Sequence, residues 1–272
     1  MILLRNGHIH SPFCPHGSDD SLEAYVESAL QSGYTKLTFT EHAPLPEGFS
    51  DPAPDKDSAM TMRDLERYLK AVEIVKEKYK RDIVILTGLE IDFIKGYEEQ
   101  TRNFLNNYGP HLEDSILSVH FLQGETAWHC IDFSPAAFEE ATKDVGGTRN
   151  LYEKYFRQIA LSARADLGEY KPGRIGHMSL IRKFHQLYPS PENWESMASD
   201  TLPVIKSSGM FLDYNGAGCT KEFCKETYPP ISIAREAYET GIPLVYGSDA
   251  HTVSGLNAGS ELIDGNLLHS ND

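Results

Sequence analysis

The chain has 272 residues, 40% hydrophobic and 24% charged, a balance that suits a folded enzyme and excludes a disordered or fibrous chain. Its 25 Lys and Arg against 40 Asp and Glu give a formal net charge of −15, which argues against nucleic acid or an anionic membrane as the main partner, since both need a basic face. No apolar run approaches the roughly 20 residues of a membrane span, no signal peptide precedes the first strand, and Cys14, Cys130, Cys219 and Cys224 form no disulfide framework or CxxC pair, so a reduced, cytoplasmic protein is expected.

The first strand is expected over Ile2–Gly7, then a helix from Leu22 to Ser32, capped near Asp19–Ser21 and closed by Gly33. Lys36–Thr40 alternates like a strand and runs into Glu41 and His42. The segment Pro44–Pro54 is proline-rich, long and aperiodic, the pattern of a binding loop or lid. Met62–Lys80 carries Leu65, Leu69, Val72 and Val75 on one helical face. Asp82–Thr87 is almost continuously apolar, as a strand covered on both faces should be. A short helix near 97–107 and a strand Ser115–Val119 follow. Residues 121–148 give no clear periodicity before a helix from Pro135 and the Gly146–Gly147 break. Further helices are expected over Leu151–Ala165, Pro191–Ser207 and Ile231–Thr240, and strands over Arg174–His177, Met210–Tyr214 and Pro243–Tyr246. The last twenty residues are rich in Gly and Ser, with little room for a long final helix.

Seven strands spaced for helical crossovers imply a parallel sheet. Each is followed at once by a metal-capable or amide group: His8 and His10, His42, Glu90, His120, His177, Asn215, then Asp249 and His251. In a closed parallel barrel all these ends meet at one mouth, where barrel enzymes place their sites. The expected architecture is therefore a single domain over 1–272, a distorted (βα)7 barrel with a metal site at the C-terminal ends of the strands; an open doubly wound sheet is the alternative. His8 and His10, two apart on a strand, leave by the same face. His16 follows a Pro-Phe-Cys-Pro loop. Taken alone, that stretch reads equally as a histidine-rich turn. Cys14 within it reads as packing, and His111, His185 and His269 as solvated or structural groups. His129, after the fourth strand, is a weaker candidate for lining a pocket.

His-x-His10, Thr-Glu41-His42, Gly-Leu-Glu90, Ser-Val-His120, Gly-His177 and Ser-Asp249-Ala-His251 resemble, in order and spacing, the PHP (polymerase and histidinol phosphatase) family from residue 6 to residue 251. The forms HSPFCPHGS, EHAPLP, GLEIDFI and SVHF resemble its histidinol-phosphate phosphatase branch. Glu41 departs from the pattern, standing where many members have Asp. The resemblance implies hydrolysis of L-histidinol phosphate to L-histidinol in histidine biosynthesis, at a centre of three divalent ions. It implies one ion on His8, His10, Glu90 and Asp249, a second on Glu90, His120 and His177, and a third on His16, His42 and His251. Seven imidazoles and two carboxylates suit Zn, Fe or Mn rather than Ca or Mg, which prefer oxygen shells.

On this reading the reaction is metal-assisted attack of water without a covalent phosphoenzyme. Glu90, Asp249 and His251 are the catalytic candidates, Asp249 orienting the nucleophile and His251 a possible donor to the leaving group. Arg182 and Arg149 are candidates for the phosphate, because a guanidinium fork matches its oxygens. Glu41 is a candidate for the substrate's cationic end and Phe13 for the pocket wall, while Asp92 is expected behind a ligand histidine. The expected partner is a small phosphate ester; the oligomeric state is open. The alternatives are a phosphoesterase of the same scaffold acting on nucleotides, DNA ends or phosphotyrosine proteins, and a non-catalytic metal-binding barrel.

Overall fold

Seven parallel strands pair in the order β1 (Arg5–Ile9), β2 (Lys36–His42), β3 (Val84–Asp92), β4 (Ile116–Ser118), β7 (Arg174–Ile175), β8 (Phe211–Asn215) and β9 (Leu244–Gly247). The computed structural model describes residues 4–269; Ile2 and Leu3, expected in the first strand, lie outside the described residues. Helices α1 (Leu22–Gln31), α2 (Met62–Tyr79), α3 (Glu98–Tyr108), α4 (Pro135–Asp144), α5 (Thr148–Arg164), α6 (Trp194–Ser199), α7 (Leu202–Ser207) and α8 (Ile231–Glu239) connect them. After β9 only short 3₁₀ turns follow among the described residues. No described helix is long and apolar enough to cross a membrane.

Side-chain oxygens of Ser21, Thr61 and Ser134 accept from the backbone at the starts of α1, α2 and α4, satisfying N–H groups that have no helical partner. The expected single helix over 191–207 is two helices. Pro203 has no N–H, and its ring crowds the carbonyl of Ser199, so the chain turns at Asp200–Thr201 and restarts as α7. The unread segment after the fourth strand contains an antiparallel hairpin, β5 (Phe121–Gln123) with β6 (Trp128–Cys130). Its strands are too short to show alternation.

Helix α2 buries Leu65, Tyr68, Val72 and Val75 against the sheet, and the Tyr68 hydroxyl donates to the carbonyls of Phe39 and Gly88, both at 2.8 Å. These residues belong to one apolar core between sheet and helices. The sheet closes on itself at the mouth. There Ile9 bridges Ala250, Asp249 N–H donates to the His8 carbonyl at 2.8 Å, and His10 N–H donates to Ala250 O at 3.0 Å. Lower in the seam, buried Asn6 donates to Ser248 Oγ and Leu256 O and accepts from Ser248 N–H.

The other end of the barrel is filled by a charge network. Arg174, 2% exposed, donates to Gly7 O and to Asp114, each at 2.8 Å. Asp114 also accepts from Arg5 at 2.6 Å and Thr38 at 2.8 Å. A Cβ on Gly7 would stand 2.3 Å from Arg174 Nη1, so only glycine fits there. Burial pushes the Asp114 carboxyl up, but Arg174 and Arg5 outweigh it and hold it below the usual range. A carboxyl held low in the folded state contributes stability that is present above its unfolded value and lost as pH falls through the folded one. Asp114→Asn is expected to cost about 3 kcal/mol in urea unfolding at pH 7, because it strands a buried guanidinium. It should also weaken the pH dependence of stability below about pH 4. An unchanged midpoint would mean that Arg174 is satisfied otherwise.

Candidate metal centre

Register brings the chemistry to the mouth. Strands β2 and β3 run in step, pairing His42 with Glu90, and β3 continues against β4 with Asp92 opposite Ser118. A bulge in β1 lies between Asn6 and Ile9, a distortion common beside functional sites. His8 and His10 still point to the same side, with ring centroids 5.3 Å apart. Asp249, just after β9, has φ of 54°, in the left-handed region that Asp tolerates better than most residues.

Glu90 stands at the middle, 1% exposed. Its Oε1 lies 2.8 Å from His177 Nε2 and 3.6 Å from His120 Nε2. Its Oε2 lies 3.2 Å from His42 Nδ1, 3.4 Å from His8 Nε2 and 3.5 Å from His10 Nε2. Donor atoms lie within 4.8 Å of one another in three groups here: His8, His10 and Asp249; Glu90, His120 and His177; and His10, Cys14, His42 and His251.

Most of these rings are fixed from behind. His8 Nδ1 meets Asp213 at 2.7 Å, His10 Nδ1 meets Glu41 at 3.1 Å, and His120 Nδ1 meets Asp92 at 2.8 Å. His16 Nδ1 meets Asp57 O at 2.8 Å, and His251 Nδ1 meets Asp249 O at 3.0 Å. A proton on Nδ1 leaves the Nε2 lone pair for a ligand, the arrangement seen behind metal-bound histidines. His8 Nε2, His42 Nδ1 and Glu90 Oε2 are buried with no hydrogen-bond partner. Such orphans are costly unless something completes them.

The electrostatics point the same way. Burial alone would lower the His10 pKa, but hydrogen bonds to Asp249 and Glu41 raise it to about 9. His120 is likewise raised to about 10 against burial, by Asp92 and Glu90. His42 and His251 are instead held well below the usual histidine value by burial and by His10. The carboxylates draw positive charge to a cluster whose imidazoles cannot all be protonated. Neutral lone pairs beside fixed anions suit divalent cations, so the residues present fit a metal centre.

Several sequence expectations place differently. The fork of Arg182 is occupied by Glu226 and Ser190, its guanidinium lies 3.7 Å from the Trp194 ring centroid, and it does not reach the mouth. Arg149 is exposed on α5, paired with Glu153. Neither arginine is placed to bind phosphate. Glu41 is fully buried, with its oxygens taken by His10, Ser11 and His42 N–H, so it supports the histidines and does not face a substrate. Phe13 packs edge-on against Tyr68 and under Arg67, away from the cavity. His16 is exposed, 5.1 Å from His42 and 5.0 Å from His251 by ring centroids, while buried Cys14, expected only to pack, joins their close group. His129 is bound to Asp144 and does not line the cavity over the cluster. Asp92 sits where expected, behind His120.

A cavity of about 590 Å³ opens over the cluster. Besides His16, His42, His120, His177, His251, Glu90 and Asp249, it is lined by Phe121, Phe133, Tyr228, Asp132, Lys183 and Asp57. Sequence reasoning missed Asp132, Lys183 and Asp213. Asp213 left one signal, an acid two residues before Asn215 inside an apolar strand. The proline-rich loop is anchored by Phe49 among Tyr97, Phe121 and Trp128, and its continuation at Asp57 and Ser58 forms part of the cavity wall.

A barrel of parallel strands with imidazoles and carboxylates converging at the C-terminal mouth defines a metal-binding barrel enzyme. The chain belongs to the PHP domain family, whose model matches residues 6–217. It is 46% identical over 249 residues to the histidinol-phosphatase of Bacillus subtilis (strain 168), an alignment covering 91% of this chain and 93% of that protein. Among solved structures it is similar to a Listeria monocytogenes protein provisionally assigned as the histidinol phosphatase hisK. The TM-score is 0.91 at 39% identity, over 95% of this chain and 99% of that one. A Lactococcus lactis histidinol phosphate phosphatase, solved with zinc, L-histidinol and phosphate, aligns with TM-score 0.66 at 16% identity, over 97% of this chain and 94% of that one. At that identity it speaks for the fold alone.

Asp213→Asn keeps the shape of the group behind His8 but removes its charge. It is expected to weaken metal binding about 10- to 100-fold, measured by chelator competition with unfolding monitored in parallel. Unaltered affinity would mean that His8 needs no such support.

Proposed function

We propose that this chain is a phosphomonoesterase that hydrolyses L-histidinol phosphate to L-histidinol and phosphate, in the biosynthesis of histidine. The observation that carries this is 46% identity to a histidinol-phosphatase along nearly the whole chain. The nine metal-capable residues of the sequence pattern are present at the mouth. We take residues 1–272 as one domain and the cytoplasm as its location.

In this reading His8, His10, Glu90 and Asp249 hold one ion, Glu90, His120 and His177 a second, and His16, His42 and His251 a third. Glu90 suits sharing because its two oxygens face different imidazoles. The donor set favours zinc, iron or manganese. Such ions supply a water nucleophile activated near neutral pH and offset charge on the phosphoryl oxygens.

The chain's own residues do the positioning. Asp249, held well below the usual carboxylate range by His8, His10 and His251 against burial, is ionised and orients the attacking water. His251 donates from Nδ1 to the Asp249 carbonyl, which leaves a lone pair on Nε2. It is therefore better placed as a ligand than as a proton donor to the leaving alkoxide. Phe121, Phe133 and Tyr228 offer apolar surface for an imidazole, and Asp57 brings negative charge to the cavity that receives an ammonium. A small cationic phosphate ester fits this lining better than a nucleic acid does.

Purified, metal-loaded protein should show kcat/KM for L-histidinol phosphate at least about 100-fold above p-nitrophenyl phosphate and nucleotides. Comparable values for all would overturn the substrate assignment. Metal analysis should give about three ions per chain. Glu90→Gln should lose metal and more than about 100-fold in activity, since even supporting residues behind such ligands are worth 10- to 100-fold. Wild-type turnover in a metal-free Glu90→Gln protein would refute the centre and leave a non-catalytic barrel or a different chemistry.

A further inference from the structure

We propose that Lys183 is the side chain that receives the substrate's phosphoryl group, held for that task by Asp132. The proposal rests on the phosphoesterase reading above and adds a residue to it.

The cavity over the metal cluster has two lysines on its wall, Lys183 and Lys221. Lys221 is exposed at the rim, whereas the Lys183 side chain is 20% exposed. Lys183 is delivered by a tight turn that follows His177. Leu180 N–H donates to His177 O at 2.8 Å, Arg182 N–H to Ser179 O at 2.9 Å, and Lys183 N–H to Leu180 O at 2.8 Å. This turn separates two adjacent cations. Arg182 is turned away from the cavity to buried contact with Glu226, and Lys183 is brought to the cavity.

Lys183 Nζ donates to Asp132 O at 2.6 Å and to Asp132 Oδ2 at 3.0 Å. An ammonium has three donors, so one remains, with no hydrogen-bond partner among the described residues. Asp132 and Lys183 line the same cavity as Glu90, His120 and His177. A cation fixed in advance, with one donor free, is what a phosphoryl oxygen requires. Burial would lower the Lys183 pKa, but Asp132 outweighs it and keeps the ammonium charged. Lys183 therefore acts as a fixed charge and not as the proton donor to the leaving group.

The test measures binding of inorganic phosphate and of L-histidinol separately, by calorimetry on the metal-loaded protein. Lys183→Met should weaken phosphate binding about 10- to 100-fold, the worth of one charge-assisted hydrogen bond, and leave histidinol binding within about 2-fold. Lys183→Arg should recover part of the phosphate affinity, and Lys221→Met should change it less than Lys183→Met does. Metal content should match wild type throughout. Unchanged phosphate binding in Lys183→Met, or an equal loss for phosphate and histidinol, would overturn the proposal. If Lys183→Met loses metal, Lys183→Gln is measured the same way; metal loss in both would assign the pair to scaffolding and overturn it. Phosphate binding is read without turnover. A chain that binds phosphate through Lys183 but does not cleave histidinol phosphate would refute the substrate and leave this inference standing.

Discussion

The carboxylate of Glu90 is the constraint around which the mouth is arranged. It is an ionised group with almost no solvent, and in an apolar interior that would cost several kcal/mol. Two imidazoles face one of its oxygens and three face the other. The five imidazoles come from four strand ends, β1 supplying two of them. The anion is tolerable only if those strands arrive in register. A shift of β2 by one residue would bring Glu41 instead of His42 beside it.

Behind the ring of imidazoles lies a second layer of acids. Asp213, Glu41 and Asp92 each accept from one Nδ1. They explain part of the chain's negative charge without any basic partner. Room for them is limited. A Cβ on Gly247 would stand 2.2 Å from Asp213 Oδ1 and 2.5 Å from His8 Cβ, so the last strand must present glycine where it crosses this pair. The polar network and the backbone approach are one packing problem, solved together.

Much of this was legible in the sequence. Strand and helix positions fell within a few residues, because buried parallel strands read as apolar runs and helices as 3.6-residue stripes. The residues that gather at the mouth were legible because a barrel puts all strand ends in one place, so local sequence position becomes spatial position. What failed depended on direction over one or two residues. Arg182 and Lys183 are neighbours, and only the turn after His177 decides which one meets the cavity. Glu41 and His42 are neighbours too, on alternating faces of a strand, and the acid faces His10. Phe13 lies in a loop whose packing on Tyr68 is long-range. The hairpin β5–β6 and the break before α7 were hidden for different reasons. One has strands of three residues, and the other was a proline read as ordinary helix interior.

The seam between β1 and β9 carries a consequence for the life of the protein. His10 and Asp249 are 239 positions apart and 3.1 Å apart in space. On the proposed reading, an ion held by both would fasten the first strand to the last, closing a loop almost as long as the chain. Ribosomal synthesis delivers the histidines of β1 long before their partner, so the centre is assembled only when the final strand docks. Ions that bind only the closed barrel also hold it closed by mass action. On the proposed reading, metal supply would then set how much folded protein persists as well as how fast it turns over.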